Sequence, residues 1–255
     1  MIASRSVPAH GATKLTVCDC GTLTGTASAA YMSAALGATT PAVVSPGQVI
    51  TGLTATCTNI GAGAATNATC VPSVSAGTIS ALTCVPASPQ ASLAVNGTIV
   101  CTYTYTAPGT AGGADEATTS VTFTATTGAT NDSVPANNVA TQATPAIDAV
   151  NDTAGQPGGT VGATTNLATN DQFPVGSVFT IQPGSTCVAP VSVSSAGVAT
   201  YSMPASGSCT VNYQVCAPAP NATVCDTAVL TINTTAAPAL TVTKTASQTP
   251  LVVGK

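Results

Sequence analysis

Residues 50–73 read ITGLTATCTNIGAGAATNATCVPS, two cysteine-bearing arms on either side of a glycine pair. In the first arm Leu53, Ala55 and Cys57 fall on one face and Thr54, Thr56 and Thr58 on the other. That period of two is the mark of a half-buried strand. Gly61-Ala62-Gly63 turns the chain, and the second arm brings Cys70 back within reach of Cys57. The rest of the chain repeats this plan of threonine-faced strands, glycine or proline corners and cysteine staples.

The composition says why staples are needed. Charged residues are 5% of the 255 and aromatics 3%, with no tryptophan, so the 44% apolar content is largely alanine and valine. Charged residues make up roughly 25% of a typical soluble domain. Small side chains bury little area each, so the hydrophobic stabilisation of any core is modest.

Of the ten cysteines, eight fall in two groups of four: Cys57, Cys70, Cys84 and Cys101, then Cys187, Cys209, Cys216 and Cys225. Each group allows three connectivities. Sequential pairing is favoured (57 with 70, 84 with 101, 187 with 209, 216 with 225), because each pair flanks one turn or short excursion. Loops of this size are worth about 3 kcal/mol per bridge on chain entropy. Such bridges persist in oxidising compartments, which points to an extracellular or cell-surface location. Cys18 and Cys20 are too close to bridge each other without strain and are read as unpaired or intermolecular.

Several function classes drop out. A lone histidine, His10, and the lack of any CxxC pair argue against zinc. Four basic residues in all leave no nucleic-acid footprint, and no apolar run reaches the length of about 18 residues that a spanning helix needs. Gly61-x-Gly63 lacks the third glycine and the following helix of a phosphate loop. One histidine, eight scattered carboxylates and oxidised cysteines assemble no base–nucleophile pair, so no enzyme is expected. Met1–Gly11 has no apolar core of a secretory signal, which suggests a mature form or an excised part of a longer secreted protein.

Helix periodicity is absent throughout, and the expected fold class is all-β: tandem immunoglobulin-like sandwiches stapled by disulfides, with a terminal orphan strand. Residues 1–37 are a lead segment or the tail of a preceding unit. Residues 38–144 form the first sandwich, with strands expected at 42–44, 50–59, 64–70, 78–84, 98–106, 117–127 and 139–143. Residues 145–235 form the second, with strands at 146–150, 178–182, 191–194, 198–203, 209–215 and 227–233, and a hairpin turn at Ser195-Ala196-Gly197.

The last stretch, 236–255, is too short to fold alone. Leu240, Val242 and Lys244 alternate with threonines, and Ser247–Lys255 (SQTPLVVGK) aligns with Ala38–Pro46 (ATTPAVVSP), sharing Thr-Pro-x-Val-Val. A repeat whose final copy is partial indicates an array. The segment is either the first strand of a further repeat or a donor strand, with Leu240, Val242, Lys244, Leu251 and Val253 as its candidate contacts.

Three features carry a family resemblance in the first sandwich: the TCTNIGAGAATNATC corner, the Gly97–Tyr103 strand and the Asp132–Asn138 turn (DSVPANN). They resemble the bacterial surface repeat known as domain of unknown function eleven, over about 38–144 and restarting at about 239. The second sandwich is similar to a bacterial Ig-like or cadherin-like module. Its matching residues are Ala149–Asp152 (AVND), Leu167–Asp171 (LATND), Gly197–Tyr201 (GVATY) and the final strand. The resemblance implies a long secreted or surface protein of bacteria, a fibre or adhesin, with no catalytic residues to carry over.

Asp148, Asp152 and Asp171, with Asn151 and Asn170, gather hard oxygen atoms near the domain boundary. They are either calcium ligands, as in cadherin-like modules, or simply residues of Asx turns; no other cofactor is expected. The reading reached is a structural subunit or repeat segment of an extracellular filament or large surface protein. Its partners are copies of itself, met head to tail through strand edges. The alternative is an adhesin module that binds a glycan or host surface through loops such as Pro108–Thr118.

Overall fold

The structure, a computed structural model, describes residues 28–113 and 120–236 together with the short pieces 16–17, 23–24 and 243–244. An antiparallel pair, β1 (Thr16–Val17) and β2 (Leu23–Thr24), comes first. Two sandwiches follow, and among the described residues the helical content is two single turns, Pro135–Asn137 and Leu167–Thr169.

In the first sandwich one sheet is ordered β3 (Met32–Leu36), β4 (Val49–Asn59), β8 (Thr98–Thr106) and β6 (Thr78–Val85). The facing sheet is ordered β10 (Val139–Pro145), β9 (Ser120–Gly128), β5 (Ala65–Val74) and β7 (Gln90–Leu93). The alternation seen in the sequence sets what is inside. Leu53, Ala55, Cys57, Ile99, Tyr103 and Tyr105 point in from one sheet, and Val121, Phe123 and Ala125 meet them from the other. Tyr105 and Phe123 pack edge to face, with centroids 4.9 Å apart, a geometry the aromatic quadrupoles favour.

The second sandwich pairs a sheet ordered β11 (Asp152–Pro157), β17 (Cys225–Thr235), β16 (Cys209–Cys216) and β13 (Val178–Ile181) with a smaller one. That smaller sheet is ordered β12 (Ala163–Asn166), β15 (Val198–Ser202) and β14 (Val188–Val193). Strand β11 runs parallel to β17, and the remaining ladders are antiparallel. Phe179, Tyr201, Val211, Tyr213, Leu230 and Ile232 fill the core.

The disulfides follow one rule in both sandwiches. Cys57–Cys70 joins β4 to β5, which lie in opposite sheets, with Cα atoms 5.6 Å apart. Cys187–Cys209 does the same in the second sandwich, from the residue before β14 to the first residue of β16. The other two bridge neighbouring strands at directly facing positions: Cys84–Cys101 across β6 and β8, and Cys216–Cys225 across β16 and β17. Each thin core is therefore riveted once between its sheets and once within one sheet.

The glycine corner between β4 and β5 is a passage from sheet to sheet. A Cβ on Gly61 would collide with the backbone of 29–31, and one on Gly63 with the Ser28 carbonyl. Glycine is required because the incoming chain lies directly across the corner.

The structure corrects the element assignment in four places. The lead segment does not extend to residue 37: Ala30 and Met32 are fully buried and Met32–Leu36 is edge strand β3. Alternation there is masked by alanine and serine. Residues 42–44 form no strand; Val44 makes a single parallel bridge with Ala146, just after Pro41, which has no N–H to extend a ladder. The second sandwich does not begin with a strand at 146–150 but with β11, whose sequence DTAGQP has no apolar alternation and a single strand former, Thr153. Strands β7 and β12, four residues each and rich in small polar groups, had no signal at all.

Candidate functional site

The segment between the sandwiches, 146–152, has nearly all its amides committed. Ile147 donates to the Val44 carbonyl at 2.8 Å, and Asp148 exchanges backbone bonds with Gln172 at 2.9 and 2.8 Å. Ala149 N–H donates to Asp226 Oδ2 at 3.0 Å, Val150 N–H to Asp171 Oδ1 at 2.7 Å, and Asn151 N–H to the Gly113 carbonyl at 3.0 Å. Aspartate side chains thus serve where a strand partner is missing, because a buried N–H left without an acceptor is costly.

Asp226 also ties the sandwiches together. Its second oxygen accepts from Gly112 N–H at 3.0 Å, in the loop after β8 of the first sandwich. Gly113 packs so close to Asn151 and Ala228 that a side chain there would clash. Asn151 Oδ1 accepts from Val229 N–H at 2.8 Å. Val43 completes the contact: it is buried in the core of the second sandwich, while its neighbour Val44 is buried in the core of the first.

Beneath this segment stands Tyr213 of β16, with no exposed surface. Its hydroxyl lies 2.9 Å from the Val150 carbonyl, 3.0 Å from Asp152 Oδ2, and 3.1 and 3.2 Å from Asp171 Oδ1 and Oδ2. Asp148, Asp171 and Asp226 are buried, and the chain has no lysine or arginine between Lys14 and Lys244. Burial drives the Asp171 carboxyl up to about 7; bonds from Val150 and Tyr213 oppose the rise, and Asp152 and Asp148 reinforce it. Burial also raises Asp152, against hydrogen bonds from Tyr213 and Asn170. The Tyr213 phenol is held far above its ordinary range by burial and then by the two aspartates, so it keeps its proton.

Sequence reasoning grouped Asp148, Asp152, Asp171, Asn151 and Asn170, and the structure does bring them to one junction. Among the described residues no three His, Cys, Asp or Glu side chains are grouped as metal ligands. The oxygens of Asn151 and Asp171 are taken by backbone amides and the phenol, and Asn170 points its amide donors at the Val150 and Asn151 carbonyls. In this arrangement the residues act as acceptors for an unpaired backbone.

Asp226 and the hydroxyl of Tyr213 were missed. The signal for Asp226 was scarcity: in a chain with eight acidic residues, each one has a reason to be there. The loop Pro108–Thr118, the ligand-binding loop of the alternative adhesin reading, is in part engaged at the junction through Gly112 and Gly113; Asp115 and Glu116 lie outside the described residues. So do Cys18, Cys20, Leu240, Val242, Leu251 and Val253. Lys244 is described and exposed.

A cleft of about 350 Å³ opens beside the junction, lined by Gly112, Gln182, Asn212, Tyr213 and Thr227 among others. Its amide donors are occupied internally: Gln182 Nε2 donates to Thr180 and Gln214, and Asn212 Nδ2 to the Pro183 carbonyl.

No protein-family model matches the chain, and no curated protein matches it. Solved structures similar to it include zebrafish RET cadherin-like domains 1 to 4, at 9% identity and a TM-score of 0.27, over 82% of this chain and 52% of that one. Chicken VE-cadherin EC1-2 is 13% identical with a TM-score of 0.24, over 67% of this chain and 85% of that one. An I-band fragment of titin is 9% identical with a TM-score of 0.31, over 75% of this chain and 62% of that one. The chain thus spans about half of the RET fragment. The chain itself has an all-β fold of two disulfide-stapled sandwiches joined through a buried aspartate junction.

Proposed function

We propose that this chain is a structural, non-catalytic unit of an extracellular bacterial fibre or surface protein, joined to further copies head to tail. One observation carries the reading. Thr40–Val44 is the segment that welds the two sandwiches, with Val43 buried in one core and Val44 in the other. The same Thr-Pro-x-Val-Val recurs at Thr249–Val253, after the last strand of the second sandwich. A sequence that performs a joint in one place and returns where another joint is due supports continuation of the array.

The segment before it also has a counterpart. Leu240, Val242 and Lys244 alternate with threonines as the residues of an edge strand do, and β3, which precedes the first joint, is such an edge strand beside β4. The tail thus carries the pattern of an edge strand plus a joint, and strand addition at an open sheet edge of another copy, such as that of β3, is the mode it fits. Four disulfides suit an oxidising exterior. The near-absence of surface charge lowers the repulsion between copies. Deleting Ala239–Lys255 should abolish self-association in sedimentation and by electron microscopy; unchanged fibres from the truncated chain would end the proposal.

The second reading, a glycan-binding adhesin module, has the junction cleft in its favour, since uncharged amides and hydroxyls suit sugar hydroxyls. Its weakness is that those amide donors are already engaged. Glycan-array binding by a protein that stays monomeric would reverse the order of the two.

A further inference from the structure

Each sandwich has one end at the internal joint and one end turned away from it. In the first sandwich β4 begins beside the joint, where Gln48 pairs with Ala107 at the root of the loop that reaches Asp226. The strand has 11 residues, a length of about 35 Å at the rise of a β-strand, so Ile60 and Gly61 stand at the outer end. A cleft of about 430 Å³ opens there between Ala29, Tyr31, Ile60 and Val134. Ile60 is 47% exposed and Val134 39%. The Ser133 hydroxyl on the rim donates to the Ala30 carbonyl at 2.9 Å, which leaves the cleft mostly apolar.

The second sandwich ends on a matching feature. Strand β17 begins beside the joint, with Asp226, and ends at Thr235, where its register partner is Pro157 of β11. The loop after Pro157 carries Val161, which is 83% exposed. That loop is fixed, since Gly159 N–H donates to the Pro204 carbonyl and Met203 N–H to the Thr160 carbonyl, both at 2.8 Å. Val161 is thus held out in solvent by a built turn, beside the point where the chain leaves the sandwich.

Given the head-to-tail reading above, we infer that the outer cleft of the first sandwich is the socket for the outer end of the second sandwich of the preceding copy, with Val161 as the side chain that enters it. The path of the chain brings the two together. Ala29 and Tyr31, where the chain enters the first sandwich, line the cleft itself, and Thr235, where it leaves the second, is paired beside the Val161 loop. Counted back from Thr249 in the returning Thr-Pro-x-Val-Val, the counterpart of Ala29 is Pro238, three residues past Thr235. Three residues reach about 11 Å at most, so successive units abut without a spacer.

Charge favours this pairing over a symmetric one. Between Asp152 and Asp171, and again between Asp171 and Asp226, the second sandwich has no charged residue and no histidine, so its outer end is neutral. The outer end of the first sandwich holds Asp132. Two such ends face to face would set carboxylate against carboxylate, whereas the neutral end meets Asp132 without repulsion. The internal joint already uses one valine in this way, with Val43 buried in the core of the second sandwich. A contact this small holds because it is tethered, by the chain or by an added strand, which raises the local concentration of the partner to about the millimolar range.

The test is sedimentation of the full disulfide-bonded chain. Ile60→Asp and Val161→Asp, both at exposed positions, should each weaken self-association on the order of tenfold or more and leave the urea unfolding midpoint unchanged. Val175→Asp is the control and should associate like the parent: it is exposed too, but lies at the joint end, three residues before Val178, which faces Cys216. Mixing Ile60→Asp with Val161→Asp should restore pairs that do not grow, because each supplies the intact half that the other lacks. Undiminished association of both variants, in a chain that deletion of Ala239–Lys255 makes monomeric, overturns the socket and leaves the head-to-tail reading standing. A parent chain that stays monomeric overturns both. A lower unfolding midpoint for Ile60→Asp with association unchanged means that the chain's own residues 1–27 fill the cleft, and also overturns the socket.

Discussion

The two sandwiches solve the same problem with similar parts and differ in how they treat their buried tyrosines. In the first, Tyr103 and Tyr105 bury hydroxyls that have no partner among the described residues, and burial alone pushes Tyr105 up to about 12. In the second, the single hydroxyl of Tyr213 is surrounded by acceptors. The first core has an excess of donors and the second an excess of acceptors. That imbalance falls where the chain must hold a bare linking segment: Asp148, Asp152, Asp171 and Asp226 all gather at the junction, while Asp132 serves the far end. A chain with so few charges has spent its carboxylates on unpaired backbone.

The largest effects should come from the rivets between sheets. Replacing Cys57 and Cys70 by alanine should cost about 3 kcal/mol, and replacing Cys187 and Cys209 slightly more because its loop is longer. The sequence separations are 13 and 22. Urea unfolding measures both; no loss in either sandwich would mean that the sparse cores hold without help.

Next is the junction against the far pole. Asp226→Ala strands two amide donors, Ala149 and Gly112, and should cost about 2–4 kcal/mol, with faster hydrogen exchange at both. Asp132→Ala, where the acceptor serves Val134 and, weakly, Met32, should cost about 1 kcal/mol. Equal losses would dissolve the distinction between the two ends.

The tyrosine contrast itself is tested by removing hydroxyls. Tyr213→Phe should destabilise by about 1–2 kcal/mol, whereas Tyr103→Phe and Tyr105→Phe should be neutral or stabilising by up to about 1 kcal/mol. A loss at Tyr103 matching that at Tyr213 would show that its hydroxyl finds a partner in solution. Smallest of all, Val175→Ser should change stability by less than about 0.5 kcal/mol, since Val175 is 98% exposed.

Much of this architecture was legible, for a physical reason. Strands such as β4, β8, β9, β16 and β17 alternate large apolar residues with threonine, and a pleated strand turns that alternation into an inside and an outside. Where a strand is short and built mostly of small or polar residues, as in β3, β7 and β12, the alternation is too weak to read from residue type. Strand β11 was illegible for another reason: its place comes from a parallel partner more than 70 residues away, with register Asp152 to Leu230. The aspartates were legible as a group because carboxylates are rare here. Their role was not, since it depends on which amides the fold leaves bare.

The sequence alone determined that this is a sheet protein with thin cores, that sulfur must reinforce it, and that cysteines near in the chain are near in space. These properties follow from local periodicity, side-chain volume and loop length. Tertiary structure decided which strands share a sheet, which disulfides cross between sheets, and that four aspartates meet at one joint. Those outcomes depend on pairing between distant segments, where the free energy lies in contacts that no short stretch of chain can specify.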